Sequence, residues 1–392
     1  MAGALSGLKI LDFSTLLPGP LATMHLADMG AEVLRVTSGT RADLVQTMPP
    51  YVPGMNISAT AAQIGRNKKV ITLNLKDSRA VQIIKELIRE YDIVLEQFRP
   101  GVMKKLGMDY ETLSAINPGI IYCSLTGYGQ DGPMAVKAGH DINYLSLSGM
   151  MSYAGRKKDG PSLMGIQIAD IASGTNNTII SILAAVIYRN NTGRGQYLDV
   201  SMTDGVFALN AMSGPGVLAT GENPKREGEL LNGGSLYDFY ETKDGEYVSF
   251  GGLEPKFFAD FCRVIHREEW IEKGVQAGDE IKNEVREIMK TKTRDEWMSI
   301  IREADACFEP VLSLSEALNS ELARERNMVV DVPAAEGKTI RQIGSPFKFS
   351  ESPVEYKFAG RTLEQADTEE VLMALGYSME EIESLAREGV LQ

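Results

Sequence analysis

Apolar positions in the first two hundred residues switch between two spacings. Short continuous or alternating apolar runs at 8–13, 31–36, 70–75, 93–98 and 120–125 read as strands. Between them the spacing becomes helical. A helix is predicted over 21–29, after the Pro18-Gly19-Pro20 break that a first helical turn tolerates, and Gly30 suits its stop. A second is predicted from Asp77 or Ser78, either of which can cap it, to Tyr91, with Val81, Ile84, Leu87 and Ile88 on one face. Strand–helix–strand alternation of this kind predicts an α/β fold with a mostly parallel sheet covered by helices. The apolar run 179–188 reads as a buried helix, too short to span a bilayer.

The pattern changes near residue 225. Runs at 235–242 and 247–250 flank Lys243-Asp244-Gly245-Glu246 and read as an antiparallel hairpin with an Asp-Gly turn. Helical spacing follows at 255–265, 280–290 and 293–303, with a shorter helix within 311–323, so this part reads as a smaller α+β domain. The stretch 347–361 is polar and irregular, and 368–391 reads as two helices parted at Gly376-Tyr377-Ser378. A chain of 392 residues exceeds one compact core and implies two domains.

Composition narrows the function. A net charge of −13 argues against a general nucleic-acid or anionic-membrane binder. Three cysteines, Cys123, Cys262 and Cys307, are odd in number and widely spaced, which disfavours a disulfide framework or zinc site and fits a reducing compartment. There is no GxGxxG after the first strand, no GxxxxGK[ST] and no GxSxG, so the common nucleotide and hydrolase motifs are missing. No signal peptide is evident, and residues 389–392 are not an SKL-type signal, so a cytoplasmic location is expected.

Three histidines leave few candidates for proton transfer near neutral pH. His140 lies in the glycine-bounded stretch GHDINYLSLSG, whereas His25 and His266 read as structural or exposed residues. A lone histidine is more often a satisfied structural residue. Thirty residues on, Asp170 opens an apolar helical stretch, where an aspartate is most often a cap, yet a carboxylate there can also act as a base, and free backbone N–H groups at that helix start can hold a developing oxyanion. Glu254 follows Gly251-Gly252-Leu253 and precedes Pro255; it reads either as a first-turn acid or as a carboxylate that orients a histidine from across a domain or subunit boundary. Basic residues at Arg66, Lys68, Lys69, Lys76, Arg99, Lys104 and Lys105 fall near strand ends and loops, where phosphates of a nucleotide-bearing substrate can be met.

Eight segments carry a resemblance that extends over most of the chain in order. They are LKILDFSTLLPGPLATMHLADMGAEVLRV, RNKKVITLNLK, EQFRPGVMKKLGMDYETL, SLTGYGQDGP, AGHDINYLSLSG, ADIASGT, GRGQYLDVSMTDG and EEVLMALGYSMEEIESL. Together they resemble the family III CoA-transferase superfamily (CaiB/BaiF-like), and AGHDINY resembles its α-methylacyl-CoA racemase branch. The resemblance implies a Rossmann-like large domain built from both ends of the chain, 1–225 and 331–392. It also implies a small α+β domain at 226–330, an interlocked homodimer and an acyl-CoA thioester substrate, with no metal or redox cofactor. It implies catalytic roles for His140, Asp170 and Glu254. It places coenzyme contacts at Leu73, Asn74, Leu75 and Lys76, at Gln97, Phe98 and Arg99, at Lys105, and at Gly139, Asp141, Ile142, Asn143 and Tyr144, with Tyr144 lining the site and bonding to a carboxylate. Lys105 stands where racemases tend to carry arginine, and Ser38 where they often carry a base that meets the nucleotide, so Arg35 or Arg41 would have to compensate. The implied reaction is two-base proton transfer at the α-carbon of a 2-methylacyl-CoA. The alternatives are a CoA-transferase using Asp170 as nucleophile and a non-catalytic CoA-ester binder. The acyl chain stays open, with Met150, Met151, Tyr153, Met164 and Met212 read as pocket or core.

Overall fold

Alternation of strands and helices produces the sheet that the sequence pattern predicts. In the computed structural model, residues 3–40, 43–276 and 278–392 are described. Strands β1 (Lys9–Asp12), β2 (Glu32–Thr37), β3 (Lys68–Thr72), β4 (Ile93–Glu96), β5 (Ile121–Thr126) and β6 (Gln196–Ser201) form one parallel sheet in the order β3-β2-β1-β4-β5-β6. Order reverses between β1 and β4, so a crevice opens above their carboxyl ends, the usual ligand position in such sheets.

Each strand's burial follows from its position between helical layers. The residues of β4 and β5 are buried throughout, which is why their sequence runs apolar rather than alternating. Helix α1 (Pro18–Asp28) starts on the proline break, and Gly30 follows it at φ 106°, a left-handed conformation that costs glycine little. Helix α2 (Ser78–Leu87) is capped by Asp77, whose side chain accepts from the Arg79 N–H, and buries Ala80, Ile83, Ile84 and Leu87. The first core cluster joins that face to Leu11, Leu34, Ile71, Val94 and Tyr122.

The chain divides into two compact units: Met1–Ser148, Gly165–Leu209 and Arg324–Gln392 in the first, Gly149–Met164 and Asn210–Ala323 in the second. The second therefore begins earlier and ends earlier than 226–330, and takes in a sixteen-residue excursion from the first. Polar fastening explains the excursion. Arg156 bridges Glu227 at 2.9 Å and Asp238 at 2.7 Å, and Arg226 donates to the carbonyls of Ala154 and Met151. The second unit contains the expected hairpin, Asp238–Glu241 against Tyr247–Phe250, with Phe308–Pro310 as a third strand. Its core stacks Phe250 on Phe261 and buries Trp270 and Trp297.

The apolar run at 179–188 sits in a longer element than expected. A π-helical turn, Ala169–Thr175, continues directly into α4 (Asn176–Thr192). The whole segment Ala169–Thr192 is long and apolar enough to cross a membrane by length and composition. It lies against α1, β5 and β6 through Ile179, Ile182, Ala185 and Val186, whereas Ile180, Ile187 and Tyr188 are exposed. The helix is thus apolar on both faces and buried on one.

Candidate active site

The first β–α turn, which lacks the glycine fingerprint, is organised instead by buried polar groups. Asp12, at the end of β1, accepts from the Ser14 N–H at 2.9 Å, from the Ser14 hydroxyl, and from Thr23 Oγ1 at 2.5 Å. Lys68 Nζ, itself buried, lies 3.3 Å from Asp12 and donates to Pro20 O and Thr23 Oγ1 at 2.6 Å each. Burial lowers the Lys68 ammonium to about 8, with Asp12 opposing the shift. Across the switch point, Gln97 Oε1 accepts from the Gly19 N–H at 3.3 Å. Gly19 is required there, since a Cβ would meet Ser14 Cβ at 2.3 Å.

Helix α3 (Asp141–Leu147) stands at the carboxyl end of β5, because Tyr144 packs against Gly127, just beyond that strand. His140 is its N-cap residue, exposed, with its N–H donating to Asn143 Oδ1 at 3.0 Å. Asp141 reaches the π-helical turn and accepts from the Ala169 N–H at 2.6 Å and the Asp170 N–H at 3.1 Å. One carboxylate thereby ties the segment bearing His140 to the segment bearing Asp170. Burial, followed by the negative charge of Asp141, raises the Asp170 carboxyl to about 6, and the nearby His140 opposes the rise. The two residues singled out from sequence are therefore neighbours.

Three expectations are corrected here. Asp170 is not the cap of its helix: Ile168 holds that position, and Asp141 satisfies the N–H groups of the turn. Those N–H groups are engaged, so an oxyanion cannot use them. Of the first turn of α3, the Asn143 and Tyr144 N–H groups reach His140 O, which leaves those of Asp141 and Ile142 without an intrahelical partner. Tyr144 does not offer its hydroxyl to a carboxylate, since it donates to Gly139 O at 2.6 Å with its ring edge-on to Tyr128.

The expected coenzyme contacts occupy the same edge of the sheet. Leu73 is buried beyond β3, while Asn74 and Leu75 are half-buried and Lys76 exposed in the turn that follows. Phe98 follows Gln97 and is half-buried; Arg99 and Lys105 are exposed. Gly139 is half-buried, and Ile142 and Asn143 are exposed on α3. Ser38 donates to Gln392 Oε1 at 2.7 Å. Arg35 is buried against Asp43 at 2.7 Å, so it is committed elsewhere, and Arg41 lies outside the described residues. Glu254 belongs to the second unit, where it is exposed at the N-cap of the helix Pro255–Val264. Met150, Met151, Tyr153, Met164 and Met212 also belong to that unit, with Met151 buried and Met212 80% exposed.

One group at this edge escaped the sequence reading. Glu96, 4% exposed at the end of β4, accepts from the Phe98 N–H at 2.8 Å. Burial raises it to about 7, helped by Asp199, while Ser124 and the Phe98 N–H oppose the rise. An acid closing the otherwise apolar run Ile93–Glu96 was the available signal.

Comparison with known proteins adds independent observations. The family model "CoA-transferase family III" matches residues 5–365. The chain is 32% identical to a human "alpha-methylacyl-CoA racemase", over 99% of this chain and 98% of that protein. It is 31% identical to a mouse "succinyl-CoA:glutarate CoA-transferase", over 89% of this chain and 82% of that protein. A crystal structure of a CAIB/BAIF family protein from Brucella suis superposes with a TM-score of 0.85 at 26% identity, covering 96% of this chain and all of that one.

Proposed function

This chain belongs to CoA-transferase family III, and on that footing we propose that it racemises 2-methylacyl-CoA thioesters by two-base proton transfer. The observation that carries the reading is the junction at α3, where Asp141 joins the His140 and Asp170 segments and Asp170 titrates near 6. Likeness to racemases along nearly the whole chain supports it.

An α-proton next to a thioester is too weakly acidic for a neutral-pH base alone, so the enolate oxygen must be stabilised as it forms. The Asp141 N–H at the start of α3 suits that oxygen. In one direction the Asp170 carboxylate takes the α-proton and the imidazolium of His140 delivers a proton to the opposite face. In the other direction the roles exchange. No electrons are gained or lost, and the second base must begin protonated whenever the first begins free. With its carboxyl raised to about 6, Asp170 stands close enough to neutrality to hold a proton in one direction and release it in the other. Glu254 would hold the imidazole from a small domain, and the interlocked homodimer would be the working form. Apolar side chains exposed on the first unit, Ile180, Ile187, Tyr188 and Phe207, support such an assembly.

The equally similar transferases favour a second reading, in which Asp170 attacks the thioester carbonyl, expels CoA and forms a mixed anhydride. His140→Ala separates the two. Racemisation should be abolished in this variant, whereas transfer should largely survive. Borohydride or hydroxylamine trapping at Asp170 with donor thioester, together with unchanged turnover of His140→Ala, would refute the racemase.

A further inference from the structure

We infer that Gln392 is a specificity-determining residue at the ribose end of the coenzyme site, where its side-chain amide, held by Ser38 and Thr40, faces the phosphate-bearing ribose of the thioester. This deepens the CoA-thioester reading and rests on it.

The candidate bases stand at the carboxyl end of β5, fixed there by the packing of Tyr144 on Gly127. In the order β3-β2-β1-β4-β5-β6, β2 lies three strand spacings from β5, roughly 14 Å at about 4.8 Å each. A coenzyme with its thioester at β5 and its arm along the carboxyl edge crosses the β1/β4 crevice and brings its nucleotide over β2 and β3. In sheets of this order, residues just past the second strand are the ones that meet a nucleotide's ribose.

Segment 389–392 is built into that place. Leu391 bridges Leu73 in antiparallel fashion, the Asn74 N–H donates to Val390 O at 2.8 Å, and Asn74 Nδ2 donates to Gly389 O at 3.4 Å. Val390 is fully buried. The segment therefore packs against the 73–76 turn while its last side chain crosses to the end of β2. There Gln392 Oε1 accepts from Ser38 Oγ at 2.7 Å and Thr40 Oγ1 at 3.5 Å. A Cβ on Gly39 would stand 2.8 Å from Gln392 Cβ, so the approach is close enough to exclude a larger residue there. The carbonyl half of the Gln392 amide is taken, and its NH2 group has no partner among the described residues.

The cations nearby are mostly committed. Arg35 is buried against Asp43, and Arg79 pairs with Asp77 and Glu388. Lys76 is exposed in the same turn. Among the described residues, the neutral amide of Gln392 beside the exposed Lys76 would read the ribose chiefly by hydrogen bonding.

Charge placed at residue 392 should consequently be sensed by the ribose phosphate. The test titrates free CoA and dephospho-CoA calorimetrically against the full chain and against Gln392→Lys, Gln392→Glu and Gln392→Ala. Gln392→Lys should favour CoA over dephospho-CoA by about two- to fivefold relative to wild type, and Gln392→Glu should reverse the preference by a similar factor. Gln392→Ala should weaken both ligands with little change in their ratio. If the ratio agrees within 1.5-fold in all four proteins, Gln392 lies away from the phosphate and the inference is overturned. A wild type that binds neither ligand would overturn the coenzyme reading itself, a result distinguishable from the first.

Discussion

Glu96 offers a quantitative test because its carboxyl is nearly excluded from water and has no cationic partner among the described residues. Its value rises from 4.5 to about 7, chiefly through burial and then through the charge of Asp199. A raised carboxyl means that the folded state holds a proton that the unfolded chain has released. Stability is therefore unaffected below about pH 4.5, falls as pH rises toward 7, and levels off above it. The shift corresponds to about 3 kcal/mol at pH 8, taking ~1.36 kcal/mol per unit. Glu96→Gln keeps a carbonyl for the Phe98 N–H and removes the charge. Its repacking cost does not depend on pH, so the informative quantity is the difference between two pH values. Urea unfolding should be followed by the near-UV signal of the packed aromatic side chains, which include the Tyr110, Tyr122 and Tyr197 cluster. Relative to wild type, Glu96→Gln should gain about 2–3 kcal/mol between pH 4.5 and pH 8. A gain below about 0.5 kcal/mol would mean that Glu96 is ionised at little cost, and the reasoning from burial would fail.

Other consequences follow from named groups. Arg66 and Asp28 form a fully buried pair at 2.6 Å, with Arg66 also donating to Gln342 Oε1 and Ile343 O. Arg66→Met should destabilise by about 3–5 kcal/mol in urea unfolding, and combining it with Asp28→Asn should recover part of that loss. In the direction that uses Asp170 as base, kcat/KM should fall about tenfold per pH unit below 6. Asp141→Asn keeps the acceptor for the Ala169 and Asp170 N–H groups but removes the like charge, so the acidic limb should move to lower pH. A limb that stays in place would show that Asp141 does not set the Asp170 proton affinity.

Local signals predicted most of the sheet. Apolar strand runs, the Asp77 cap and the Gly30 stop each depend on neighbours within a few residues, and all appear with shifts of a few positions. The 149–164 excursion was illegible because Arg156, Glu227 and Asp238 are far apart in sequence and carry no motif. The same holds for Asp141, which the resemblance gave only as a coenzyme contact and whose carboxylate takes N–H groups of a segment 28 and 29 positions away. The exposure of Ile180, Ile187 and Tyr188 was hidden because apolarity on both helix faces gives no periodicity to read. Ser38 appeared as a missing cation; its bond to Gln392, 354 positions away, could not be seen in the chain.

The most direct test of two-base chemistry follows one enantiomer of a 2-methylacyl-CoA thioester in deuterated water with the wild-type protein. The product of opposite configuration should carry one solvent deuterium at the α-carbon from the first turnovers, since the proton removed and the proton returned belong to different groups. Inverted product that retains its original hydrogen would contradict separate bases at His140 and Asp170, and thioester that neither inverts nor exchanges would contradict proton transfer altogether.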